Sequence, residues 1–284
     1  MRKLPVPLLN PADVFEACVS GVDSDELANR LNSESEYLVT QAVNYQINAN
    51  LKSLYLFPIA TRGNDGQLIV GDVTKGDLTQ LYSKQMVKSK KPARHYYDKL
   101  INHAPLGICP FCGFGHVSTL DHFLSKAYYP SLSVLPANLV PACRDCNGGK
   151  GAGVVTDENQ IPHPYFEDPI IETDVWLYAR INETSPPTAT FEVSSPIGWS
   201  DGLKRRVNNY FNDLNLASRF SIQAASELAS LSDYMSLLDL EGQIGRHLLL
   251  ISQSERLHRK NSWKAALYEA LSNSIWYQGG GYKA

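Results

Sequence analysis

Two Cys-x-x-Cys pairs, Cys109/Cys112 and Cys143/Cys146, constrain this chain more than any other feature. They account for four of its five cysteines, and no secretory segment accompanies them, so the spacing points to a metal before disulfides. Each pair can grip one side of a tetrahedral zinc ion. The segment between the pairs is long enough for a β-hairpin. If His116–Asp121 and Val134–Val140 pair antiparallel, both cysteine pairs meet at the open end, where a structural zinc clamps the hairpin. Such a zinc contributes about 10 to 16 kcal/mol of apparent binding energy, enough to hold a segment too short to fold alone. A redox role for the thiols is disfavoured, because no thioredoxin-like βαβ pattern surrounds them. Cys18, among Val14, Phe15 and Val19, reads as a buried structural thiol.

The rest of the segment carries chemistry. Asp121-His122 comes at the end of the first expected strand and Asn138 lies in the second. Asn147 and Lys150 follow the last cysteine, where a helix should start. An imidazole, oxygen donors for a hard cation and an ammonium are what phosphodiester hydrolysis requires. A metal-binding module with no catalysis, holding nucleic acid or a protein, is the competing expectation; it has no need for that set in that order. His116 reads as a strand-surface residue and His163 stays outside the site. Arg144 and Lys126, neighbours of the site in sequence, are candidate phosphate contacts.

This stretch, Cys109 to Lys150, resembles the HNH (ββα-metal, His-Me finger) endonucleases, whose pattern is a D-H pair, a central Asn and a closing C-x-x-C-N-x-x-K or equivalent. The resemblance covers only this central part of the chain. It implies His122 as general base and Asp121 with Asn147 as ligands of a catalytic magnesium or manganese. Asn138 would stabilise the loop and orient His122, and Lys150 would act at the scissile phosphate. Asn147 stands where the third letter of the family name calls for His. Its amide oxygen favours a hard ion, leaving zinc to the thiolates. The layout of the zinc segment before His163–Phe166 and the helical stretch Arg205–Leu216 is more loosely similar to PtuB-type nucleases of prokaryotic anti-phage systems. That similarity implies an ABC-type ATPase partner. DNA is the expected substrate, and nothing in the motif excludes RNA.

The expected fold class is α+β, with a zinc-stapled ββα-metal core inserted between largely helical regions that carry short hairpins. Its regions are 1–104, mainly helical; 105–164, the core; and 165–284, a hairpin followed by helices. Asn10-Pro11 opens a first helix, and Ser33 with Glu36 has capping-box spacing. Leu54–Ile59 and Gln67–Val73, separated by Gly63-Asn64-Asp65-Gly66, suggest a first hairpin, and Asp77 to His103 returns to helical spacing. Val175–Ile181 and Thr188–Val193 flank Pro186-Pro187 as another hairpin. Ser200–Ser274 reads as helical, with Tyr210, Phe211 and Phe220 in its core, and Gly279–Gly281 as a flexible tail. The net charge of −3 argues against a general nucleic-acid coat protein. Locally, however, Lys84, Lys88, Lys90, Lys91, Arg94 and Lys99 face the single acid Asp98, a surface suited to tracking phosphates beside a nuclease site. No apolar run approaches the roughly 20 residues of a membrane-spanning helix, and prolines 5, 7 and 11 interrupt any leader, so the expected location is cytoplasmic.

Overall fold

The first helix forms where the sequence supplies its start signal. Asn10 accepts the Ala12 N–H at 3.0 Å and Pro11 fills the first turn, giving α1, Pro11–Val19. Its Val14, Phe15, Cys18 and Val19 are buried, and burial pushes the Cys18 thiol up to about 12, which makes it an apolar filler. Ser24 caps α2, Asp25–Ser33, and α3 follows over Ser35–Leu51. The expected Ser33/Glu36 capping box is not formed. Ser33 closes α2 with its hydroxyl donated to the Arg30 carbonyl at 2.8 Å, and α3 starts with no side-chain cap. A true capping box occurs at Thr74 and Asp77, where α4, Lys75–Gln80, begins.

The first hairpin also differs from expectation. Leu54–Leu56 is a single 3-10 turn, and β1, Leu68–Val70, pairs instead with β2, Val73–Thr74, turning at Gly71. The donors after the 3-10 turn are taken elsewhere: Ala60 N–H by the Tyr128 carbonyl at 2.8 Å and Thr61 N–H by the Gln67 side chain at 2.7 Å. α4 runs directly into a π-helical turn, Leu81–Met86, and α5 spans Arg94–Ile101.

Around the cysteines, β3, Thr119–His122, pairs antiparallel with β4, Leu139–Ala142, in the register Thr119↔Ala142 to His122↔Leu139. Helix α6, Arg144–Lys150, follows. Both strands are shorter than expected, and Asn138 precedes the second one. Pro136 opens a 3-10 turn, Pro136–Asn138, in place of extended chain, because proline presets the backbone of a first turn and brings no donor to a ladder. His116 likewise sits upstream of β3, exposed, in an isolated bridge to Ile108. Residues 2–167 make one compact unit. In its core, Val14, Phe15, Leu31, Leu78, Tyr82 and Leu100 pack with Leu120 and Leu139 of the hairpin.

The second unit begins at Asp168. After α7, Ile170–Thr173, strands β5, Leu177–Asn182, and β6, Thr188–Val193, form the expected hairpin. Asn261 anchors the entry to β5, accepting the N–H groups of Trp176 and Leu177 at 2.9 and 3.2 Å and donating to the Ile171 and Asp174 carbonyls. Then come α8, Asp201–Asp213; α9, Leu216–Leu238; α10, Ile244–His258; α11, Trp263–Asn273; and α12, Ile275–Gln278. Tyr210, Phe211 and Phe220 are buried, as core residues should be. The glycine tail is packed. Gly281 and Tyr282 are buried, and a Cβ on Gly281 would lie 2.5 Å from the Trp276 ring, so the small residue is needed for close approach to an aromatic.

This computed structural model describes residues 1–238 and 243–283; the expected helix across 239–242 lies outside them. Its class is α+β: helices with three short antiparallel hairpins among the described residues. No described helix is long and apolar enough to cross a membrane.

Candidate functional site

The hairpin register delivers both cysteine pairs to one point. Ala142 ends β4 opposite Thr119, and Cys143 follows at once as the N-cap of α6, which places Cys146 one turn in. The other pair arrives on a tight turn in which Gly113 N–H binds the Cys109 carbonyl at 2.9 Å and Cys109 N–H binds the Gly115 carbonyl at 2.8 Å. Gly113 takes a φ of +80°, a conformation open to glycine.

All four cysteines are buried and unbridged, with their ligand atoms within 4.8 Å of one another. The Cys112 and Cys143 sulfurs lie 3.8 Å apart, the edge of a tetrahedron with metal–sulfur bonds of about 2.3 Å. Gly115 N–H donates to Cys112 Sγ at 3.2 Å, and a Cβ on Gly115 would stand 2.9 Å from Cys143 Sγ. Backbone therefore closes against the sulfurs on that side. Hydrogen bonds within the cluster, from Cys109 first, pull the Cys112 and Cys143 thiols down, Cys143 to about 6, while Cys109 and Cys146 are pushed up. Four buried thiols converging at metal-ligand separations suit a metal ion such as zinc.

Beyond the cluster, β3 and α6 place Asp121 against Lys150. The Lys150 ammonium donates to Asp121 Oδ2 and to the His122 carbonyl, both at 2.7 Å, and sits 5.0 Å from the Phe123 ring centre. Burial raises the Asp121 carboxyl while Lys150 pulls it back down. Asn147 donates to Thr119 Oγ1 at 3.4 Å, which leaves its amide oxygen as an acceptor. Asn138 is fully buried and closes the loop after β3: its Oδ1 accepts Leu124 N–H at 2.7 Å, and its Nδ2 donates to the Leu124 and Leu132 carbonyls at 3.0 and 3.1 Å.

His122 shares a hydrogen bond of 2.8 Å between Nε2 and the Ser133 carbonyl. A carbonyl only accepts, so Nε2 carries the proton and the Nδ1 lone pair stays available. Burial pushes the imidazole down to about 3, which keeps it neutral at pH 7. The Tyr82 ring lies 4.4 Å away, nearly perpendicular.

Sequence reasoning did not find Tyr82 or Ser133, and it left His163 outside the site. His163 is buried behind the hairpin, stacked on Phe123 at 4.0 Å, with Nε2 3.0 Å from the Tyr45 hydroxyl and Nδ1 accepting Tyr165 N–H at 3.1 Å. It supports the wall of the site. No local spacing signals any of the three, because their partners are distant in sequence. Lys126, half-buried, lies 5.6 Å from the centre of the Tyr82 ring, whereas Arg144 is exposed.

Fold and site together define an α+β protein with a cluster of four buried cysteines, placed to hold a metal ion, at the open end of a β-hairpin. Over 290 residues the chain is 30% identical to Protein ea31 of Escherichia phage lambda, across 96% of this chain and 98% of that one. It belongs to the family of that protein. No family model matches it, and no solved structure does.

Proposed function

We propose that the chain is a metal-dependent endonuclease of the HNH class that hydrolyses phosphodiester bonds, with zinc in the cysteine cluster. The observation that carries this reading is the neutral His122 at the end of β3, its Nε2–H committed to Ser133 and its Nδ1 free to take a proton. In the proposed reaction, Nδ1 accepts the proton of a water molecule as its oxygen attacks phosphorus and the bond to the leaving sugar oxygen breaks. Asn138 keeps the loop after His122 in place. Lys150 holds Asp121 and the His122 backbone together.

The donor chemistry at Asp121 and Asn147 fits a hard divalent ion. Lys150 engages Oδ2 of Asp121, and Asn147 spends its N–H on Thr119, so an Oδ1 oxygen of each remains for magnesium or manganese. An ion held by Asp121 and Asn147 would supply positive charge to offset that of the attacked phosphate. Replacing Asp121 or Asn147 with alanine is expected to raise the magnesium concentration needed for half-maximal cleavage by about tenfold or more, while zinc content stays at wild type. Metal titrations of cleavage check this. An unchanged magnesium requirement in both variants removes these residues from the metal.

The basic stretch is the proposed phosphate surface. Lys91 is tied to Asp23 at 2.8 Å and Arg94 to Asp98 at 2.9 Å, whereas Lys84, Lys88 and Lys90 are exposed. The Lys84/Lys88/Lys90→Gln triple variant is therefore expected to weaken nucleic-acid binding across sequences. The slope of log affinity against log salt should fall by about 0.9 per lysine that contacts duplex phosphate. Equal affinity of wild type and variant across a salt titration would return the stretch to ordinary solvated surface.

DNA is the proposed substrate, with RNA as the second candidate. The similarity to PtuB-type nucleases supports a role in anti-phage defence beside an ABC-type ATPase, and that part of the proposal rests on sequence resemblance alone. The reaction is tested by incubating the chain with duplex DNA, single-stranded DNA and RNA in magnesium or manganese.

A further inference from the structure

His122 is held by a helical segment that lies outside the cysteine hairpin. Ser133, whose carbonyl takes His122 Nε2, donates its own hydroxyl to the Leu78 carbonyl of α4 at 2.6 Å. One turn later Tyr82 places its ring 4.4 Å from the imidazole at 73° and donates its hydroxyl to the Leu120 carbonyl at 3.3 Å, two residues before His122 on β3. The two grips come from successive turns of the same segment. Its start is fixed by the Thr74/Asp77 capping box and by Arg30, 3.3 Å from Asp77. Its second half is the π-helical turn Leu81–Met86, a rare geometry frequently found at functional sites.

We propose that Tyr82 is a positioning residue for His122, holding the imidazole with Nε2 on Ser133 and Nδ1 toward the reacting water; this role rests on the nuclease reading above. An unconstrained imidazole exchanges between two tautomers and flips about its outer torsion, and either motion takes the Nδ1 lone pair out of place. The Ser133 carbonyl selects the tautomer, and the Tyr82 ring fills the space into which the imidazole would turn. Lys84 lies on the same π-helical turn, with Lys88 and Lys90 just beyond. The segment proposed to receive phosphate is thus the one that steadies the base.

Nitrogen-15 NMR of the zinc-loaded full chain reads the His122 tautomer whether or not the protein cleaves, with His122→Ala assigning the signal. Wild type and Tyr82→Phe should both show the Nε2–H tautomer. Tyr82→Leu should show averaged ring-nitrogen shifts, and its kcat should fall about 10- to 100-fold at a KM within about twofold of wild type. Tyr82→Phe, which keeps the ring, should retain kcat to within about threefold. If Tyr82→Leu does not fold, Tyr82→Met, unbranched and adaptable in a core, takes its place. A wild-type tautomer pattern in the folded Leu or Met variant overturns the proposal, and so does an equal loss of kcat in the Phe and Leu variants. Absence of cleavage by wild type counts against the nuclease reading, and the NMR comparison still decides the role of Tyr82.

Discussion

Replacing His122 with alanine is expected to slow phosphodiester cleavage by about 100- to 10,000-fold, the contribution of a positioned general base. The side chain is poised for that role in three respects. It is neutral at pH 7 because burial disfavours its charged form. Its Nε2–H is committed to the Ser133 carbonyl, which leaves Nδ1 as the acceptor. Its backbone is fixed by the ladder to Leu139 and by the Lys150 ammonium on its carbonyl. Since the imidazole makes one hydrogen bond and one ring contact, its removal should leave zinc content and substrate affinity near wild type. Single-turnover cleavage, metal analysis and binding on the same preparation separate these effects.

The second large effect is expected at the cysteine cluster. Structural zinc contributes about 10 to 16 kcal/mol of apparent binding energy, whereas a whole domain is stable by only about 5 to 15 kcal/mol. Cys143→Ser should therefore abolish both metal binding and the cooperative folding of residues 2–167. Cys143 also forms the N-cap of α6, its sulfur accepting Cys146 N–H at 3.5 Å, so the change strikes the helix that carries Asn147 and Lys150. Elemental analysis should find about one zinc per wild-type chain and none in the variant, with loss of a thermal unfolding transition. A wild-type protein that folds fully without metal contradicts the assignment.

What could be read in the sequence was local. The cysteine spacing, the Asn10-Pro11 helix start and the hairpin around Pro186-Pro187 each depend on a few neighbouring residues, and each formed as expected. Local signals also misled where another contact, near or distant, took the same groups. Ser33 and Glu36 had the right spacing, yet Ser33 spends its hydroxyl on Arg30. The Leu54–Ile59 run looked like a strand, but the backbone just after it bonds to Tyr128 and the Gln67 side chain. The glycine tail looked loose because the sequence does not show that the Trp276 ring lies against it.

Around the candidate site the division is the same. Asp121, His122, Asn138, Asn147 and Lys150 lie within one short stretch, and their residue types, their order and the resemblance to the HNH pattern nominated them. The contact that gives His122 its tautomer comes from Ser133, the ring packed on the imidazole from Tyr82, and the stacking on neighbouring Phe123 from His163. Tyr82 and His163 each lie some forty residues from His122 in sequence, brought close only by tertiary packing. Ser133 is nearer, but its role passes through a backbone carbonyl, which any residue type supplies.

The central claim is that this chain cuts nucleic acid with His122 as its base. Its most direct test sets wild type beside His122→Ala, both zinc-loaded, on duplex DNA, single-stranded DNA and RNA, in magnesium, in manganese and with these ions withheld. The account predicts that wild type cleaves at least one substrate, that cleavage depends on the added ion, and that His122→Ala loses it while remaining folded. Cleavage by His122→Ala at the wild-type rate, or no cleavage of any substrate by the folded wild-type protein, would contradict it.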